Sequence, residues 1–181
     1  MNSLLLKVEE LLKNKEYVVI SIDGMAASGK TTIANKLKEL YDANVVHIDD
    51  FYLPLKEQKR DELGGNIDFS RFKKEVIENI NNDITYSIFD CSVQKITDKI
   101  NLKKKKLLVI EGTYCLHDTL DNYYDLSVFI SINENTQLNR LKERESDFFY
   151  QKFLDLWLPN EQKYFKGMNI KEKADLLIIN E

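Results

Sequence analysis

The chain has 181 residues, 43% of them hydrophobic and 31% charged, with a formal net charge of −4 at pH 7. That is the size and balance of one globular domain, and the acidic excess argues against a surface built to bind a nucleic-acid backbone. No stretch approaches the roughly 20 apolar residues of a membrane span. The two cysteines, Cys91 and Cys115, form neither a CxxC pair nor a metal spacing. A cytoplasmic protein with no membrane and no nucleic-acid partner is expected.

Residues 1–15 place Leu4, Leu5, Val8, Leu11 and Leu12 at helical spacing with charges between them. This predicts an amphipathic helix rather than a signal peptide. YVVISID (17–23) predicts a buried strand, and GMAASGKTT follows it. TIANKLKELYD predicts a helix with Ile33, Leu37 and Leu40 inward, and ANVVHID a second strand. Residues 54–66 are polar, carry Gly64-Gly65 and read as a mobile loop. Asp68 is placed to N-cap a helix running to about Asn81, with Phe69, Phe72, Val76, Ile77 and Ile80 inward. Residues 84–102 alternate as an insertion of small strands. The basic run Lys103–Lys106 reads as a solvated turn.

KLLVIEG (106–112) and DLSVFISI (125–132) predict the third and fourth core strands, with a helix over 133–145 after them. A further helix covers roughly 147–165, where Phe148, Phe149, Phe153 and Trp157 read as core packing. ADLLIIN (174–180) is a last strand. Strands alternating with helices predict one α/β domain spanning 1–181. Its three layers hold a mostly parallel sheet of about five strands flanked by helices. Ligands in such folds bind at the carboxyl ends of the strands.

The segment from Gly24 to Thr31 matches G-x-x-x-x-G-K-[ST] between a strand and a helix, the context a P-loop requires. Backbone amides of Gly24, Ala26, Ala27, Ser28 and Gly29 can turn around phosphate oxygens. The helix N-terminus, with Thr32 in its first turn, adds partial positive charge. Lys30 reaches the β- and γ-phosphates, and the Thr31 hydroxyl ligates Mg2+. ATP (or GTP) with Mg2+ is therefore expected. Glu111, at the end of an apolar strand, is a candidate for the metal shell. Asp49 and Asp50 end the strand before them on the edge that carries the P-loop. Asp49 is the candidate base, and Asp50 a metal or metal-water partner or simply a turn residue. Phe51 and Tyr52 are placed to wall an acceptor pocket.

A P-loop leaves a GTPase switch, a motor and a small-molecule kinase open. A guanine-reading NKxD is absent late in the chain, and no second domain suggests a motor. GMAASGKTT, HIDDFYLP, NIDFSRF, LLVIEG and FISINENTQLNRLKERE, in that order, resemble the uridine kinase-like branch of P-loop kinases. Nicotinamide riboside kinases and phosphoribulokinase are relatives of that branch. The resemblance runs from residue 17 to about 179. It implies that Asp49 is the catalytic base and that Asp68, in Asn66-Ile67-Asp68, holds sugar hydroxyls. It also implies that Tyr52 lines the nucleoside site, with Phe89 near the base. Arg140 and Arg144, in a lid over 140–150, would approach the transferring phosphate.

Two segments depart from the family. Phe69-Ser70 stands where His-Pro is usual, and the lid stretch Arg144-Glu145-Ser146-Asp147 is compressed. Both fall on acceptor recognition or the lid, so phosphoryl transfer is better supported than the acceptor's identity. The expected activity is transfer of the γ-phosphoryl group to a hydroxyl, first of all the 5′-hydroxyl of uridine or cytidine. Nicotinamide riboside, pantothenate or a sugar-like compound are alternative acceptors. A slow regulatory NTPase is the alternative of another class. The family allows a homo-oligomer.

Overall fold

The computed structural model describes residues 1–59 and 61–181; Arg60, within the 54–66 loop, lies outside the described residues. The chain begins with Asn2–Asn14 (α1), Val18–Gly24 (β1), Lys30–Tyr41 (α2) and Asn44–His47 (β2), then a 3-10 turn over Ile48–Phe51. Phe69–Glu75 (α3) leads into a hairpin of Ile84–Asp90 (β3) and Lys95–Leu102 (β4). Leu107–Glu111 (β5), Leu126–Ser131 (β6), Glu134–Arg144 (α4) and Asp147–Lys152 (α5) follow. A π-helical turn over Phe153–Trp157 joins α5 to Leu158–Gly167 (α6), and Ile170–Lys173 (α7) and Leu176–Ile179 (β7) close the fold.

Five strands pair in the order β2-β5-β1-β6-β7, and every pairing among them is parallel. All seven residues of β1 and all five of β5 are buried. This is why both are mostly apolar, broken by Ser21 and Asp23 in β1 and by Glu111 at the end of β5, since a central parallel strand is covered on both faces. Successive residues of β1 serve opposite layers. Val18, Ile20 and Ile22 pack with Leu4 and Val8 of α1 and with Ile33, Ala34 and Leu37 of α2. Val19 faces the second cluster, with Phe51, Phe72, Tyr86, Tyr164 and Phe165. The β3–β4 hairpin forms its own two-stranded sheet.

Four expectations need correction. The helix expected from Asp68 to about Asn81 ends at Glu75, and a 3-10 turn over Ile77–Asn79 follows it. Leu40 is 54% exposed, because Tyr41 rather than Leu40 packs against the α2 cluster. The helix expected over 147–165 is two helices joined by the π turn. Phe148 and Phe149 are 65% and 45% exposed and are not core. No residue of α5 or of the π turn is buried, so the aromatic rings pack on one another, Phe149 on Trp157 and Phe153 on Trp157. On either side of Arg60, residues 53–59 and 61–66 form turns, with Leu53 N–H donating to Asn66 O at 2.8 Å and Lys59 N–H to Gly65 O at 2.9 Å. Among the described residues, no helix is long and apolar enough to cross a membrane.

Gly24 ends β1 at φ +145°, and a Cβ there would lie 2.1 Å from the backbone oxygen of Ile130 on β6. Only glycine fits where the phosphate loop leaves the sheet. Gly24→Ala combines left-handed strain with overpacking, so it should lower the unfolding free energy by about 2–5 kcal/mol, read as a shift in the urea midpoint.

Candidate active site

The parallel register sets Ile22 beside Glu111 and Glu111 beside His47. The loop after β1, the end of β5 and the turn after β2 therefore share one edge of the sheet. The phosphate loop takes its shape from left-handed residues, with Ala27 at φ 57° and Gly29 at φ 94°. Its carbonyls face outward onto side chains. Ala26 O accepts from Gln137 Nε2 at 3.1 Å, Ala27 O from Arg140 Nη1 at 3.2 Å and Ser28 O from Asn180 Nδ2 at 2.6 Å. Among the described residues, the amides of Ala27, Gly29, Lys30 and Thr31 donate to no protein acceptor, and the buried Ser28 hydroxyl has no partner. Unpaired donors of this kind at a helix N-terminus fit a polyphosphate. Lys30 Nζ donates to Gly24 O at 2.8 Å and Met25 O at 2.9 Å, at the root of the loop.

Thr31 Oγ1 donates to Glu111 Oε1 at 3.0 Å, and His47 Nδ1 lies 2.5 Å from the same oxygen. The bond to Glu111 is the main reason His47 titrates above the usual imidazole range. Thr31 and Glu111 supply the hydroxyl and carboxylate oxygens that Mg2+ prefers, and the phosphates would supply more. The described residues hold no group of three or more His, Cys, Asp or Glu able to cage a metal alone. That suits an ion bound chiefly through its nucleotide.

Asp49 lies over the end of β5, where a Cβ on Gly112 would be 3.6 Å from its Oδ1. Loss of water around its carboxyl pushes it up to about 6, against the pull of Lys30 and with the help of Glu111. The residue keeps solvent access, which tempers that push. Asp50 is placed differently from the metal role expected of it. Its Oδ2 is buried without a hydrogen-bond partner against Tyr86, whose hydroxyl is likewise unpartnered. Its backbone oxygen accepts from Arg71, and it makes no bond to Thr31. The 3-10 turn explains the split, since it sets successive side chains about 120° apart around its axis.

The loop after Tyr52 returns as an antiparallel bridge, Tyr52 to Ile67, and Asp68 N–H donates to Phe51 O at 2.7 Å. Asp68 thus comes back beside the turn that carries Asp49, while its Oδ1 caps α3 through Arg71 N–H at 3.0 Å. Burial is the main reason that both the Tyr52 hydroxyl and the Cys91 thiol titrate above their ordinary values, and the Asp49 charge adds to each. Phe89 is buried on β3, two residues before Cys91. Arg140 lies at the phosphate loop, but Arg144 does not; its Nε donates to Glu145 at 2.7 Å. Thr32 is exposed on α2 and makes no side-chain hydrogen bond among the described residues.

Several site residues escaped the sequence reading. Glu161 accepts the Ala26 amide at 2.7 Å, and Asp23 accepts the Gly24 amide at 2.6 Å. Nothing local marks Glu161, which reads as one more polar residue of a helix. His47 carried a usable signal, since the residue opposite a strand-end glutamate in register was within reach of it.

The model of the phosphoribulokinase/uridine kinase family matches residues 19–147, well over half of the chain. The chain belongs to that family. Human nicotinamide riboside kinase 1 is 29% identical over 157 residues, covering 82% of this chain and 71% of that protein. A uridine kinase of Clostridium novyi is 24% identical, with 89% and 86% covered. A solved structure of a possible uridine kinase from Bacillus stearothermophilus shares the fold at a TM-score of 0.69 and 18% identity, over 97% of this chain and 99% of that one. This family member is a kinase, a phosphotransferase acting on a hydroxyl group. Membership implies ATP as donor, typically with Mg2+.

Arg71 locks the Asp49 turn from behind. Its Nη2 donates to Asp50 O at 2.9 Å, its Nη1 to Ser87 O at 2.6 Å, and its guanidinium stands 4.4 Å from the Phe51 ring centre. Arg71→Met should cost about 2–4 kcal/mol of stability through two lost charge-assisted bonds, measured by urea unfolding. Nucleotide affinity should be unchanged, because none of these contacts involves residues 24–31.

Proposed function

We propose that the protein transfers the γ-phosphoryl group of ATP to the 5′-hydroxyl of a nucleoside, with uridine and cytidine as first candidates. The carrying observation is Asp49, held at the strand end within the electrostatic reach of Lys30. A carboxylate there can accept the proton of a hydroxyl aimed at the terminal phosphate. The acceptor oxygen bonds to the γ-phosphorus as the bond to the β–γ bridging oxygen breaks. ADP departs, and the hydroxyl proton passes to Asp49.

Lys30 and the unpaired loop amides hold the phosphates and stabilise the charge that develops on them. Thr31 and Glu111 would hold Mg2+, which neutralises charge on the β- and γ-oxygens when bound. Tyr52 and Phe89 are candidates for the acceptor wall, and Asp68 for the ribose hydroxyls. Arg140 stands ready at the loop, while Arg144 would have to leave Glu145 to reach a phosphate.

A second reading has its own support. The relative covering 82% of this chain at 29% identity is named nicotinamide riboside kinase 1, and Phe69-Ser70 departs from the uridine kinase pattern on the acceptor side. Nicotinamide riboside presents the same 5′-hydroxyl. Labelled ATP with Mg2+ and a panel of uridine, cytidine, nicotinamide riboside and pantothenate separates the two. Label moving to uridine or cytidine supports the first reading, and label moving only to nicotinamide riboside replaces it. Release of free phosphate whatever is added overturns both.

Asp49→Asn should lower kcat by about 100- to 10,000-fold while leaving ATP affinity nearly intact; equal loss of both would remove Asp49 from the role of base. The active form of Asp49 is the ionised one. Because its carboxyl is raised to about 6, kcat/KM should fall as pH drops through about 6 rather than through the ordinary carboxylate range.

A further inference from the structure

Helix α6 reaches the phosphate loop with two side chains one turn apart. Tyr164 Oη donates to Asp23 Oδ2 at 2.7 Å, and the Leu116 amide donates to the same oxygen at 2.9 Å. Glu161 is buried; its Oε2 accepts Ala26 N–H at 2.7 Å and its Oε1 accepts Gln137 Nε2 at 3.2 Å. Gln137, itself buried, also donates to Ala26 O at 3.1 Å. One loop residue is thus held at both its N–H and its C=O by two side chains that hold each other.

On charge alone a carboxylate is the wrong group to bury beside a loop that receives a triphosphate. The hydrogen-bond inventory explains it. Ala26 N–H and the Gln137 amide are both donors, so the group between them must accept at both ends, and an ionised carboxylate does so. A glutamine at 161 would turn an NH2 toward one of the donors. If Gln137 flipped to accommodate it, Ala26 O would lose its donor. Protonation of Glu161 at either oxygen makes that oxygen a weaker acceptor and adds an O–H donor beside the two donors already there.

We propose that Glu161 is a positioning residue of the phosphate loop: with Gln137 it fixes Ala26 facing outward, so that the amides of Ala27, Gly29, Lys30 and Thr31 meet the nucleotide as a set. This rests on the reading of the loop as the ATP site. It also makes α6 a mechanical part of the cradle. The groups facing Glu161 are Lys30 of α2, Asp23 at the end of β1 and Tyr114 after β5. Burial pushes the Glu161 carboxyl up to about 7, with Lys30 and the two hydrogen bonds pulling down and Asp23 pushing up; Glu161 in turn raises the Tyr114 hydroxyl.

Binding of Mg-ATP, measured by calorimetry without any acceptor, tests the proposal independently of turnover. Glu161→Gln should weaken Mg-ATP about tenfold, the factor corresponding to one charge-assisted hydrogen bond, while the free protein still melts cooperatively. Gln137→Met should weaken it in the same direction and by less. In the 15N-labelled wild-type protein the Ala26 amide proton should move upfield as pH is lowered through about 7, as its carboxylate acceptor takes a proton, and Glu161→Gln should abolish that step. A folded Glu161→Gln that binds Mg-ATP like the wild type, or an Ala26 amide with no titration, overturns the proposal and leaves the ATP site standing. If Glu161→Gln does not fold, an unchanged affinity in Gln137→Met overturns it. A wild-type protein that does not bind Mg-ATP overturns both this proposal and the ATP site.

Discussion

A loop of backbone amides can hold phosphate only if its carbonyls are turned away, and a carbonyl so turned needs a donor of its own. Here three successive carbonyls find donors in Gln137, Arg140 and Asn180. Two of these donors come from α4 and the third from the segment after β7. The cradle is therefore held in shape from outside, by elements more than 100 residues further along the chain. The rest of the site follows from that shape. Thr31 reaches Glu111 because α2 starts where the loop ends, and Asp49 meets Lys30 because β2 is separated from β1 by β5 alone.

Negative charge crowds the same edge. Burial is the leading reason that Asp23, Asp49, Asp50 and Glu161 all titrate above the carboxylate range. Each is kept by a different compensation. Asp23 accepts three hydrogen bonds, from two backbone amides and the Tyr164 hydroxyl. Glu161 accepts two, from the Ala26 amide and Gln137. Asp50 has Arg71 and His47 near it. Asp49 has Lys30 but bonds to no protein donor among the described residues. Asp50 likewise accepts no side-chain hydrogen bond among the described residues, but of the two it is Asp49 that is exposed.

The phosphate loop, the strands and the Asp49 turn were legible in the sequence because each is written locally. A glycine spacing, an apolar run and a strand-end carboxylate need no knowledge of distant residues. The parallel sheet was legible for a related reason, since mostly apolar strands alternate with helical stretches along the chain. Glu161, Gln137 and Arg71 were not legible, because their meaning lies in what the fold brings opposite them. Asp50 shows the limit at closest range. It is adjacent to Asp49 and chemically identical, yet it faces Tyr86 instead of the loop. The aromatic run from Phe148 misled because helical spacing says that residues share a face, not that anything covers it.

The hairpin of β3 and β4 shares no strand pairing with the five-stranded sheet. It packs against the Asp49 turn, with Tyr86 stacked on Phe51 and Ser87 O accepting from Arg71, while the phosphate loop follows β1 of the main sheet. The turn that carries Asp49 is thus backed by the hairpin, and the phosphate loop by α4, α6 and the segment after β7. Among the described residues no hairpin side chain bonds to the phosphate loop, so substitutions on the exposed face of β4 leave the hydrogen bonds that hold the loop in place. Ile84 and Tyr86 belong to the same core as Phe51 and Phe72, so whatever replaces the hairpin has to keep that inner face.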